Sequence, residues 1–189
     1  SLSAINTPYE PGSTFKPFTV SGLIENDLAS LEDTVDVENG TWTVAGRTLH
    51  DVHSEGRMSI ADALRVSSNV GIAKAASRMS PRIQYETLRD FGFGTPTGIQ
   101  IPGEVGGMLR KPERWSSQSP ASLAIGYEVS VTPLQMAMAY GALANGGRLM
   151  QPLLVKETRE SDGSLKEQFE PRMVRQVIPE EIARGIGEV

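Results

Sequence analysis

"YEPGSTFKPF", residues 9–18, decides how the rest of this sequence is read. A proline and a glycine precede Ser13, Lys16 follows it by three positions, and Pro17 comes next. Proline is tolerated in a helix only within about the first turn, where its missing N–H has no partner to lose. A helix is therefore predicted to begin at or next to Ser13. Residues three apart on a helix face the same way, so the Ser13 hydroxyl and the Lys16 ammonium can meet at its start. Two readings follow: a nucleophile with its base, or a helix cap beside a solvated lysine.

Lysine accepts a serine proton only when neutral, and bringing a free pKa of about 10.4 near 7 takes about 4.6 kcal/mol. The positive end of a helix dipole supplies at most about 2 kcal/mol of that. The remainder must come from desolvation or a second cation. The Ser13 backbone N–H offers one oxyanion donor, and acyl transfer usually uses two. The S-x-x-K spacing alone does not decide, because a chain of this length shows about one by chance.

Outward from this stretch, the 189 residues carry a formal charge of −5 with both signs interspersed, which disfavours a nucleic-acid partner. Hydrophobic content of 39 % suffices for a core. No apolar run of membrane-spanning length occurs, and "SLSAINTPYE" lacks the build of a secretion signal. The absence of cysteine removes thiol catalysis and thiolate metal sites.

"STFKPFTVSGLIENDL" is apolar on more than one face and reads as a buried helix. Residues 34–52 read as a hairpin or extended loop broken at Asn39-Gly40. Ser59 with Asp62 caps a helix that "SSN", residues 67–69, interrupts before "VGIAKAASRM" resumes it. Ser80-Pro81 starts another helix, which Gly92 stops. "FGFGTPTGIQIPGEVGG" reads as a long ordered loop without phosphate-binding spacing. Thr132, Pro133 and Gln135 open a helix ending at Gly146, a hairpin turns at "SDGS", and Pro179 starts a last helix. Helix predominates, strands are few and peripheral, and no internal repeat is present.

Four segments in order, "YEPGSTFKPFT", "ALRVSSNVGIAKAA", "GFGTPTGIQIPGE" and "LAIGYEVSVTPLQMAMAYGALANGG", closely resemble the transpeptidase domain of class B penicillin-binding proteins. The resemblance implies an α/β fold of the penicillin-binding protein and serine β-lactamase type. It implies Ser13 as the nucleophile attacking the D-Ala-D-Ala carbonyl of a peptidoglycan stem peptide, and Lys16 as its general base. Ser67 would relay a proton to the leaving amine, and Asn69 would bond both the substrate amide and Lys16. β-Lactam antibiotics would acylate the same serine, with no metal or organic cofactor. The parent is expected at the bacterial cell envelope, membrane-anchored on the extracytoplasmic face, in a cell-wall synthesis complex.

The expected K-T-G strand and the two sheet strands before the S-x-x-K helix are absent from these residues. Residues 1–189 are thus expected to be a partial transpeptidase domain, mostly helical, with much of the central sheet missing. Such a piece should react with penicillin slowly or not at all. Its hydrophobic first helix, stripped of the sheet, should favour self-association.

Other readings weigh less. His50, Asp51 and His53 cluster in "LHDVHSEG", but not at the helical zinc spacing, and this stretch matches an ordinary loop of the family. A Ser-His-Asp triad through either histidine is disfavoured once Lys16 is placed. A β-lactamase needs a water-activating group, and no E-x-x-L-N motif is present, whereas a lysine carbamate leaves no sequence trace. A β-lactam sensor or a non-catalytic scaffold is the remaining alternative. Met136, Met138 and Tyr140 read as helix core, and Trp42 and Trp115 as packing.

Overall fold

Pro17 dictates how the first long helix begins. In an α-helix the Ser13 carbonyl would accept from residue 17, which has no N–H; it accepts from Lys16 N–H instead, which closes the tighter turn. A computed structural model of the chain, describing residues 2–52 and 56–189, accordingly has a 3₁₀ turn over Gly12–Phe15 running directly into an α-helix. Helical structure thus starts where the proline placed it, but Ser13 caps nothing: the N-cap of the α-helix is Phe15, with no side-chain cap.

Among the described residues the helices in chain order are α1 (Ser3–Asn6), α2 (Lys16–Glu25), α3 (Ile60–Arg65), α4 (Asn69–Ala76), α5 (Pro81–Asp90), α6 (Ser119–Ala124), α7 (Pro133–Ala144) and α8 (Glu180–Gly187). The strands are β1 (Thr34–Asp36), β2 (Thr41–Val44), β3 (Arg47–His50), β4 (Arg57–Ser59), β5 (Met108–Leu109), β6 (Val129–Ser130), β7 (Arg148–Met150), β8 (Glu157–Arg159), β9 (Leu165–Gln168) and β10 (Met173–Gln176). They form only antiparallel pairs, β1 with β4, β2 with β3, β5 with β6, β7 with β10 and β8 with β9.

Helix α2 lies between two apolar cores, which is why its sequence has no polar face. On one side Val20 and Leu23 join Ile60, Val70 and Ile72; on the other Phe15 and Phe18 join Phe91, Phe93, Val129 and Ile178. Phe18 has Phe91 at 4.9 Å and Phe93 at 5.2 Å between ring centroids, within the range of favourable aromatic pairs. Gly22 lets α5 approach closely, since a Cβ there would meet the Thr87 side chain at 2.6 Å. The expectation that this helix is left exposed is corrected: residues 18–23 are all buried within the chain, and α4, α5 and α8 pack against α2. The exposed large apolar side chains lie elsewhere, at Leu153, Leu154, Val155, Leu165, Met173 and Val174 among others.

The hairpin of residues 34–52 is also corrected. It joins β2 to β3 and turns at Ala45-Gly46, both at positive φ (49° and 77°), as the tightest hairpin turns require. Asn39-Gly40 instead forms part of a 3₁₀ turn leading into β2. The caps at Ser59, Ser80 and Thr132 form as predicted, the last as a complete capping box with Gln135. The hairpin turning within residues 160–164 forms as well. The long loop is ordered by two side chains. Glu104 accepts from Thr97 N (2.7 Å), Thr97 Oγ1 (2.5 Å) and Gly98 N (3.1 Å), and Gln135 Nε2 donates to Thr95 O and Gly106 O at 2.8 Å each.

Candidate active site

The 3₁₀ turn that carries Ser13 is tied down from three directions. Gly12 N–H donates to Gly126 O at 3.0 Å, Thr14 Oγ1 donates to Pro11 O at 2.7 Å, and Tyr140 Oη donates to Thr14 O at 2.7 Å. Tyr9, just upstream, exchanges two backbone hydrogen bonds with Val131. Tyr140 is therefore not simply helix core. Its ring edge packs on Phe18 while its hydroxyl reaches the nucleophile turn. Ser13 itself is exposed, and its hydroxyl has no partner among the described residues.

Lys16 is only 1 % exposed, which excludes the solvated lysine. Its Nζ donates to Ser67 O at 2.6 Å and to Ser67 Oγ at 3.0 Å. Burial lowers its pKa from 10.5 to about 8, against the opposing negative charge of Asp51. That fall corresponds to about 3.4 kcal/mol, the larger part of what a base working near neutrality needs. Desolvation, one of the two sources the sequence left open, is the first cause of this fall.

Ser67 sits where α3 hands over to α4. Ser68 N–H donates to Ala63 O (2.8 Å) and Ser67 N–H to Leu64 O (3.1 Å), the paired bonds of a Schellman helix end. The residue at the turn of that motif is left-handed and usually glycine; here it is Ser67, at φ +58°. A side chain in that conformation costs about 1–2 kcal/mol. Its hydroxyl meets Lys16 as a result. Ser68 then caps α4 by accepting from Gly71 N–H at 2.7 Å.

Ser13 and Ser67 line one open depression of about 380 Å³, with Thr14, Pro17, Leu64 and Arg65 on its walls. Ser13 and Ser67 thus share one depression and Lys16 is bonded to Ser67, while Asn69 departs from expectation. Its Nδ2 donates to His50 O at 2.9 Å, and no bond to Lys16 is present. Asp51, weighed in the sequence only as a member of a metal cluster, has a different role here that nothing local marks. Its carboxylate accepts from Ser68 Oγ (2.5 Å) and Val70 N–H (2.9 Å). Among the described residues no three His, Cys, Asp or Glu side chains converge as a metal site, and His53 lies outside those residues.

A surface serine one turn ahead of a buried lysine, with a second serine on that lysine, defines an S-x-x-K domain. The chain belongs to the penicillin binding protein transpeptidase domain family, whose model matches residues 1–188. It is 37 % identical over 176 residues to penicillin-binding protein PbpB of Mycobacterium tuberculosis, covering 92 % of this chain and 26 % of that protein. It is 32 % identical over 169 residues to the probable peptidoglycan D,D-transpeptidase PbpC of Pseudomonas aeruginosa, covering 89 % of this chain and 30 % of that protein. The crystal structure of penicillin binding protein 3 from M. tuberculosis complexed with aztreonam superposes with a TM-score of 0.87 at 35 % identity, over 97 % of this chain and 41 % of that one. The chain thus spans under a third of these curated relatives' length. No helix among the described residues is long and apolar enough to cross a membrane.

Proposed function

We propose that residues 1–189 are part of a peptidoglycan D,D-transpeptidase domain in which Ser13 is the nucleophile, Lys16 its general base and Ser67 the proton relay. The observation that carries this reading is the buried Lys16 Nζ bonded twice to Ser67. A neutral lysine keeps two N–H bonds, and both find acceptors at Ser67. Its lone pair is then left to take the Ser13 proton.

In the proposed step Ser13 Oγ attacks the carbonyl carbon of the penultimate D-Ala while its proton passes to Lys16. The C–N bond to the terminal D-Ala then breaks, and the departing amine receives the proton through Ser67. The amine of a second stem peptide then attacks the acyl carbon, the ester C–O bond to Ser13 breaks, the amine's proton passes through Lys16 to Ser13 Oγ, and the new amide bond is the cross-link. Ser13 N–H, in the first turn of the 3₁₀ segment and so without an acceptor within it, is one oxyanion donor. Asn69, at the start of α4, is assigned the substrate amide. A second oxyanion donor and a cation for the substrate carboxylate are not assigned to these residues, so the 189 residues alone should acylate slowly or not at all. Relatives bearing the name D,D-transpeptidase and a neighbour solved with a β-lactam support the same reading. The envelope location, membrane anchor and synthesis-complex membership of the whole protein belong to this proposal.

The test is labelling of the full-length protein with a fluorescent penicillin. One stoichiometric adduct on the Ser13 peptide is expected by intact mass and digestion, with Ser13→Ala reducing the rate at least about 10⁴-fold. Unchanged labelling of that variant would refute the assignment. For the native protein the rate should rise about tenfold per pH unit on the acid side, as Lys16 loses its proton. The plateau should begin near pH 8 or lower, lower if another part of the protein adds a cation beside it.

A further inference from the structure

The Ser67 turn is held from the α3 side by its Schellman bonds, but those bonds leave the direction of α4 free. What fixes the far side is the end of β3. Asp51 uses both carboxylate oxygens there, one on Ser68 Oγ at 2.5 Å and one on Val70 N–H at 2.9 Å, directly after the residue that meets Lys16. Its own backbone is pinned by donation from Asp51 N–H to Gly40 O at 2.9 Å. The neighbouring His50 carbonyl takes Asn69 Nδ2. Residues 50 and 51 together thus hold 68, 69 and 70.

We propose that Asp51 is a positioning residue of the serine–lysine site, fixing the strained Ser67 turn through Ser68 and Val70 so that the Ser67 hydroxyl stays on Lys16. The proposal rests on the functional reading above. Asp51 touches neither Ser13 nor Lys16 by hydrogen bond. It acts through its neighbours and through its charge.

The charge has a definite sign. Burial drives Lys16 toward the neutral form, and the Asp51 carboxylate pulls the other way. A lysine lowered too far is always free but a poor base, so the two effects together keep it both available and basic. The helices packed on α2 offer other charges: Asp62 and Arg65 on α3, Lys74 on α4, Arg82, Glu86, Arg89 and Asp90 on α5, and Glu180, Glu181 and Arg184 on α8. Most are paired near the surface, Asp62 with Arg65, Lys74 with Glu38, Arg82 with Glu86 and Arg89 with Asp90. Among the described residues, Asp51 is the one whose charge shifts Lys16.

Three variants of the full-length protein separate position from charge, each assayed as the rate of labelling by fluorescent penicillin across pH. Asp51→Asn is expected to lower the plateau rate about 10²-fold, the scale of an ångström-sized misplacement. It should also move the acid-side limb to lower pH, because the ammonium loses a counter-charge. Ser68→Ala keeps the charge and removes one of the two tethers together with the α4 cap, leaving the Val70 bond, so the rate should fall with the limb in place. Asp51→Glu should return the limb to its native position with part of the rate.

A purely structural aspartate would lower the melting temperature and the fraction labelled at end point, with neither limb nor rate per active site changed. That result, or native-like rate and limb in Asp51→Asn, overturns the proposal. Should Asp51→Asn not fold, native rates in both Ser68→Ala and Asp51→Glu overturn it equally. A labelled Ser13→Ala protein would instead refute the functional reading, whatever the Asp51 variants do.

Discussion

Replacing Lys16 by methionine is expected to make the domain more stable while abolishing acylation. At pH 7 the folded chain keeps a lysine whose pKa is about 8 against 10.5 when solvated, and that difference corresponds to about 3 kcal/mol held against folding. Methionine has a similar volume and no charge to desolvate, but it forfeits the two bonds to Ser67, worth about 1 kcal/mol together beside exposed water. The net gain is about 2 kcal/mol, or roughly 4–8 °C in melting temperature for a domain of this size. The pH dependence fixes the cause. With the folded pKa below the unfolded one, the unfolded chain binds more protons between about pH 8 and 10.5, so native stability rises with pH across that window. The methionine variant lacks that rise. By the same figures the methionine variant leads by about 2 kcal/mol below pH 8 and the native protein overtakes it by about 1 kcal/mol above pH 10.5, where only the lost Ser67 bonds still count; a less stable variant at pH 7, or parallel pH profiles, would show that the lysine is not desolvated at a cost.

Gly126→Ala should do the opposite, costing about 3 kcal/mol or more and slowing acylation about 10²-fold. Gly126 is at φ +82°, where a side chain alone costs about 1–2 kcal/mol. A Cβ there would also land well inside contact with the Gly12 carbonyl oxygen. Neither backbone can yield easily, because Gly12 N–H is bonded to Gly126 O and Gly12 is itself at φ +55°. The displaced residue would be the one preceding Ser13. Gly163→Ala provides the control: φ is +87°, but it lies in the exposed β8–β9 turn with open space around it. It should cost only the conformational term and leave labelling unchanged. Equal losses in urea midpoint and labelling rate for the two variants would sink the claim that Gly126 holds the nucleophile turn.

What the sequence displayed best were features decided within a few residues. Pro17, the capping triads at Ser59, Ser80 and Thr132, and the apolar faces of residues 15–24 act through local sterics and periodicity, and the corresponding helices are where they were expected. The hairpin was misplaced because Asn-Gly is the stronger turn signal, yet Ala45-Gly46 makes the tight turn; the strand pairing determined which was used. Helix α6 left little trace in six residues. In the site, spacing marked Ser13 and Lys16 as candidates and the family resemblance singled them out, but the burial of Lys16 comes from distant segments folding over it. Asp51 and Ser68 are seventeen residues apart and Tyr140 and Thr14 one hundred and twenty-six, and such contacts have no local pattern to betray them.

The left-handed Ser67 has a consequence for anyone engineering this domain. Glycine at that position would relieve the backbone, just as methionine at 16 would relieve the buried charge, and both substitutions remove groups assigned to the chemistry. A random library screened for heat resistance alone should therefore be enriched in dead proteins carrying changes at these two places. Positions 16 and 67 have to be frozen before such a screen begins, and an unbiased selection that nonetheless retained both residues would be reporting on activity rather than on folding.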